Sequence, residues 1–464
     1  MYRENAWKHY DADARAKVNA FAAEYIDYLN ASKTEREAAD AAEAICKAAG
    51  FADLDAIIAA GGCVKPGDRV YRKWMNKSFM AFIVGSEPIE KGMNILGAHI
   101  DSPRIDIKQN PLFEDGDLAY LDTHYYGGIK KYQWLAMPLA LHGVIVKKDG
   151  STVVVSIGEK DEDPVLVITD LLPHLAQQQM TKTAAQFVDG EALNILIGSE
   201  PKAGEGDDEK AKDPVKAAVM DILKRDYDVE EEDFLSAELE IVPAGKARES
   251  GLDRSMILGY GHDDRVCAYP SLMAVVDFEG VPARTLCAVL TDKEEIGSVG
   301  ATGMGSHFFE NTVAELAELT GDGRDIAVRR ALQNSKMLSS DVSAGYDPTY
   351  ASVFEKKNAA MLNQGVCFNK YTGSRGKSSA SDANAEFMAE VRRVMDDAEV
   401  CWQTSEIGKV DAGGGGTIAY LCAKYGMNVI DCGVPVLSMH APWETITKAD
   451  LYEAYKGYVA FLKI

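Results

Sequence analysis

Two adjacent carboxylates, Glu294 and Glu295, stand just beyond the apolar run Arg284–Leu290, within Val289-Leu-Thr-Asp-Lys-Glu-Glu-Ile-Gly-Ser298. Desolvating a pair of glutamates is costly unless something cationic meets them. A metal centre that also needs a proton acceptor supplies that reason: one carboxylate ligates and its neighbour moves protons. Taken alone, the pair reads first as a solvated corner between strand and loop with ordinary surface charges. Other segments share its character, with ligand-type residues at the end of an apolar run. His99 and Asp101 close Ile95–Pro103, Asp341 follows Met337-Leu-Ser-Ser, and His440 follows Val436-Leu-Ser-Met. Gly261-His-Asp263-Asp264-Arg265 adds two more carboxylates.

His99, Asp264, Glu295, Asp341 and His440 together offer imidazoles and carboxylates in a set that suits two zinc-type ions sharing one carboxylate. Two such ions about 3.5–4 Å apart hold a water between them, and zinc lowers that water's pKa to about 7. Glu294 is then the candidate base, taking the water's proton and returning it to a leaving amine. Residues two apart on a strand share a face, so Asp101 is placed to bond a ring nitrogen of His99 and orient it.

The elements that must position these residues alternate strand and helix. Phe79–Val84, Met93–Ile100, Arg284–Leu290, Lys336–Ser339, Val400–Gln403 and Asn428–Asp431 read as strands. Thr34–Ala49, Ala385–Asp397 and Thr417–Tyr425 read as helices, the first with a capping box in Ser32-Lys-Thr-Glu35. That order predicts an α/β fold with a mostly parallel sheet flanked by helices, and open sheets of this kind gather ligands at the carboxyl ends of their strands. From about Asp106 the texture becomes β-rich. A hairpin is expected around Lys148-Asp149-Gly150, a helix over Val215–Lys224 after Pro214, and a strand over Ala237–Val242. Glu200–Asp213 is polar and charged and reads as a surface loop. The expected division is residues 1–105 plus 248–464 as a catalytic domain, with 106–247 inserted.

Composition narrows the partners. The chain has 464 residues and a net charge of −23, which disfavours nucleic acid and anionic membranes. No apolar run approaches a membrane span of about 18 residues. The amino-terminal segment lacks the basic-then-apolar order of a signal peptide. The eight cysteines form no CxxC pair and read as reduced core residues, so a cytoplasmic protein is expected.

Five motifs occur in order: GAHIDSPR (97–104), GHDDRVCAYPSL (261–272), DKEEIGS (292–298), SSDVSAGYDPTY (339–350) and VPVLSMHAPWE (434–444). In order and approximate spacing they resemble the aspartyl aminopeptidase family of zinc peptidases over nearly the whole chain. The resemblance implies an aminopeptidase with two divalent ions, zinc first and cobalt or manganese as alternatives. It places His99, Asp264 and Asp341 on one ion and Asp264, Glu295 and His440 on the other, with Asp264 as the bridge and Glu294 as the base. It also implies that the insertion is a dimerisation domain and that dimers build a dodecamer. His174, in Leu172-Pro-His-Leu-Ala176, would reach a neighbouring subunit's peptide substrate. Lys377, in the basic loop Tyr371–Ser381, would read an N-terminal Asp or Glu of that peptide. Two other classes stay open at this level: a dinuclear amidohydrolase or carboxypeptidase acting on N-acyl substrates, and a catalytically silent shell protein.

Overall fold

The computed structural model describes residues 4–202 and 212–464. Most of the expected polar loop at Glu200–Asp213 lies outside the described residues. The chain divides into two compact units. One comprises Met1–Ser102, Ala247–Met439 and Glu444–Ile464; the other comprises Pro103–Lys246 and His440–Trp443. The second unit thus opens at Pro103 rather than Asp106, and it takes the short 440–443 segment from near the carboxyl end.

In the first unit a nine-stranded sheet runs in the order Ala52–Asp53, Arg69–Trp74, Ser78–Ile83, Thr285–Thr291, Met93–His99, Lys336–Ser339, Asn428–Gly433, Val366–Asn369, Trp402–Thr404. The four central strands, from Thr285–Thr291 to Asn428–Gly433, are mutually parallel. Thr285–Thr291 and Met93–His99 are buried along their whole length, as strands covered by helices on both faces must be. Successive side chains alternate between two cores. Leu96 and Ala98 join Tyr25, Ala38, Leu272, Phe387 and Leu451 on one side. Ile95 joins Leu54, Phe309, Val313 and Leu421 on the other. The sheet is therefore a helix-covered α/β sheet, mostly parallel, as the sequence predicts.

Register brings the site-forming ends together. Thr291 pairs with His99, and Ser339 pairs with Gly97. The loops carrying Glu294 and Asp341 therefore leave the sheet beside His99. A smaller sheet pairs Gly259 with Glu444, which fixes where the helix His262–Val276 begins. The helix Glu35–Ala48 carries a capping box, but the pair is Thr34 and Glu37 rather than Ser32 and Glu35. Both residues read from the sequence lie two positions too early, because Ser32 instead bonds back to the Tyr28 carbonyl at 2.6 Å.

The second unit holds a six-stranded antiparallel sheet in the order Thr152–Ile157, Leu139–Val146, Ala237–Pro243, Arg104–Asp115, Leu118–Tyr126, Ile195–Gly198. The hairpin at Lys148-Asp149-Gly150 forms, with Val146 opposite Thr152 and Gly150 at φ +86°. Pro214 starts the helix Pro214–Tyr227, where its missing N–H costs nothing.

Candidate metal centre

The first unit packs an imidazole among carboxylates at the carboxyl end of its parallel strands. His99, Asp263 and Asp341 each present a ligand atom within 4.8 Å of the others. Asp263 and Glu295 also bring carboxylate oxygens within 4.8 Å of one another. His99 ends its strand, Asp341 follows Ser339-Ser340, and Glu295 follows a left-handed turn at Lys293 (φ +69°) that reverses the chain after Thr291.

Asp101 ties two of these pieces together. Its carboxylate lies 3.2 Å from His99 Nδ1 and accepts the backbone N–H groups of Glu294 and Glu295 at 3.1 and 3.2 Å. With Nδ1 so engaged, His99 turns Nε2 toward Asp263 Oδ1 at 3.1 Å. Burial works against charge on His99, but its bonds to Asp101 and Asp263 outweigh burial and hold its pKa well above the ordinary value. Burial, reinforced by Asp341, pushes the Glu294 carboxyl up to about 8. A set of buried and half-buried carboxylates around one buried imidazole fits divalent ions bound by oxygen and nitrogen, and bound ions would relieve that repulsion.

Among the described residues, Asp264 falls in neither candidate ligand group. The sequence reading makes it the shared ligand, yet the residue common to the ligand groups is Asp263. Asp264 is fully buried, with Oδ2 3.4 Å from the His99 backbone N–H and its carboxyl against the Cys267 thiol. Between Gly261 (φ +77°) and the regular helix, the backbone is neither strand nor helix: Asp263 has φ −79°, ψ 104° and Asp264 has φ −120°, ψ 29°. Neighbouring side chains there leave in directions that no simple periodicity assigns.

The remaining expected residues lie elsewhere. Glu294 Oε2 is 4.0 Å from His99 Nε2, beside the cluster. His440 lies in the 440–443 segment of the second unit, its Nδ1 3.0 Å from the Gly128 carbonyl oxygen. His174 is exposed in a turn of that unit. Lys377 lies in the first unit, 3.1 Å from Asp382 Oδ2, with its ammonium 3.7 Å over the Tyr371 ring.

The model of the aminopeptidase I zinc metalloprotease family (M18) matches residues 28–462. The chain belongs to the M18 aminopeptidases. A probable M18 family aminopeptidase 1 of Clostridium acetobutylicum is 55% identical over 99% of this chain and 98% of its own length. The crystal structure of an M18 aminopeptidase from Thermotoga maritima superposes with a TM-score of 0.93 at 41% identity, covering 100% of both chains. The yeast aminopeptidase 1 dodecamer shares the fold, with a TM-score of 0.75 at 20% identity over 96% of each chain. The chain is thus a peptide-bond hydrolase of the zinc aminopeptidase type, and the silent-shell alternative falls away.

Proposed function

We propose that this M18 aminopeptidase works with two divalent ions sharing Asp263. His99 and Asp341 complete one set; Glu295 and His440 complete the other. The observation that carries the reading is the packing of buried Asp263 with buried His99 and half-buried Asp341, and with half-buried Glu295. For His440, support comes from the bond between Nδ1 and Gly128, which sets Nε2 as the ligand atom. When bound, the ions supply a polarised scissile carbonyl and a water acidic enough to attack near neutral pH.

The chain's own residues do the rest. Asp101 fixes the ring of His99 and, through the Glu294 and Glu295 N–H groups, the turn that carries the base. Glu294, with Oε2 4.0 Å from His99 Nε2 beside the cluster, is placed to take the attacking water's proton and give it to the departing amine. The carboxylates also favour a cationic substrate terminus, which distinguishes a free α-amine from an acylated one. Peptides with a free amine and their N-acetylated twins test this: turnover is expected on the first alone. Release from the blocked twin alone would move the activity to the N-acyl amidohydrolases.

We read the second unit as the assembly domain of a homo-oligomer, in which His174 acts at a neighbouring subunit's site. Support comes from the exposure of Leu172, Leu175 and Met180 around it, at 50%, 69% and 68%, an apolar stretch that a partner would cover. The dodecamer of the yeast structure is the form such an assembly would take. All eight cysteines are free, which accords with a reducing, cytoplasmic setting. Among the described residues, no helix is long and apolar enough to cross a membrane. The Lys377 ammonium is already matched by Asp382 and Tyr371, so we read the first subsite as unselective for acidic residues.

A further inference from the structure

We propose that Arg265, Ser102 and Glu444 form a buried clamp on the backbone of Asp263 and are the positioning residues that let one aspartate serve two ions. The inference rests on the dinuclear reading above. Asp263 is held at both of its peptide groups. Its N–H donates to Glu444 Oε2 at 3.0 Å, and its carbonyl accepts from the Ser102 hydroxyl at 2.5 Å. That hydroxyl is itself held from behind by Arg265 Nη1 at 2.8 Å. Because Arg265 donates to the Ser102 oxygen, the serine proton is left to point at the Asp263 carbonyl.

Arg265 is costly to keep where it is. It is 1% exposed, and among the described residues no carboxylate pairs with it. Its other partners are neutral: the Lys33 carbonyl at 3.1 Å and the Tyr260 ring at 5.8 Å. A buried cation with neutral partners weakens a fold unless it holds something else in place. Room has been made for it as well. A Cβ on Gly261 would come within 1.9 Å of Nη1, so glycine at that left-handed position leaves the guanidinium its space. What Arg265 holds is the junction between the end of the His99 strand, at Ser102, and the irregular start of the helix, at Asp263. Glu444 fixes the same junction from the small sheet, where its neighbour in register is Gly259. Regular secondary structure does not set the direction of the Asp263 side chain; this clamp does.

The test uses full-length protein stripped of metal and titrated with cobalt or zinc against a competing chelator. Ser102→Ala removes one hydroxyl and little volume, and Glu444→Ala removes the other hold. Both should weaken binding of both ions by about 10- to 100-fold, the range for residues that orient ligands. The visible absorption of the cobalt form should shift, while the thermal midpoint of the metal-free protein changes little. Glu444→Gln keeps an acceptor oxygen and should restore near-normal affinity. Arg265→Met should behave like Ser102→Ala if it folds, and Ser102→Ala decides the matter if it does not. A wild type that takes up two ions beside a Ser102→Ala protein that binds them equally tightly, with an unchanged cobalt spectrum, overturns the clamp alone. A wild type that takes up no divalent ion overturns the metal reading and this inference with it.

Discussion

The buried cluster around Asp263 and the exposed segment around His174 are both incomplete, for opposite reasons. In the first, polar groups removed from water are arranged around one another: Asp101 orients His99, His99 faces Asp263, and burial raises the proton affinity of Glu294. Its unbalanced quantity is charge, so what completes it is a small cation. In the second, Leu172, Leu175 and Met180 stand in water around the exposed imidazole of His174. Its unbalanced quantity is apolar area, and we propose that another protein surface completes it. An incomplete site states its missing partner in the currency it lacks.

The comparison breaks most readily at the buried end. Glu294→Gln should lower kcat by about a hundred- to ten-thousand-fold, because the amide cannot accept the water's proton. Metal content should stay near that of the wild type; loss of an ion instead would make Glu294 a ligand and Glu295 the base. At the exposed end, His174→Ala should also lose most activity. Mixing it with Glu294→Gln chains under conditions of subunit exchange should recover part of it, since each chain supplies what the other lacks. Sedimentation showing a fully active monomer would remove both the partner surface and the shared-site role of His174.

A smaller effect concerns stability away from either region. Burial pushes Asp450 up to about 7, although it accepts N–H groups from Asn363 and Gly365 and the Thr447 hydroxyl. Its folded pKa lies above the unfolded value of about 3.9, so the folded chain holds a proton that the unfolded chain has released. Its contribution to stability is therefore full below about pH 4 and is lost as pH rises toward 7, with a slope of up to about 1.4 kcal/mol per pH unit. Asp450→Asn should be less stable than the wild type at acidic pH, by a margin that narrows toward pH 7 in urea titrations. A margin that widens would reverse the sign of the coupling. Smallest of all, Lys377→Ala should change KM for Asp-, Glu-, Leu- and Ala-peptides alike, by less than about fivefold, as expected for an exposed pair worth at most about 1 kcal/mol. A loss confined to the acidic peptides would show that Lys377 leaves Asp382 to read the substrate.

What could be read in the sequence follows from how directly a pattern constrains direction in space. Strand ends are legible: apolar runs stop at Thr291, His99 and Ser339, parallel pairing aligns them, and polar residues just beyond must converge. The partnership of Asp101 with His99 was readable from two-residue spacing, and the structure shows it at 3.2 Å. Asp263 and Asp264 were not separable, because the chain between Gly261 and the helix follows no period, and their orientation depends on Ser102 and Glu444, which are distant in sequence. The reach of the second unit to 440–443 was equally hidden, since the run before His440 looks like one more strand end. The clamp residue Arg265 carries no signal of its own, because a charged residue beside aspartates looks like surface until its burial is known.

The central claim is that Asp263, and not Asp264, is shared by two ions. Metal titration of Asp263→Ala and Asp264→Ala, each stripped and reloaded beside the wild type, tests it most directly. The wild type should take up two divalent ions per chain. Asp263→Ala should lose tight binding of both, whereas Asp264→Ala should retain two ions with weakened affinity, since its carboxyl supports the His99 backbone rather than a ligand position. Two ions retained by Asp263→Ala and lost by Asp264→Ala would contradict the account.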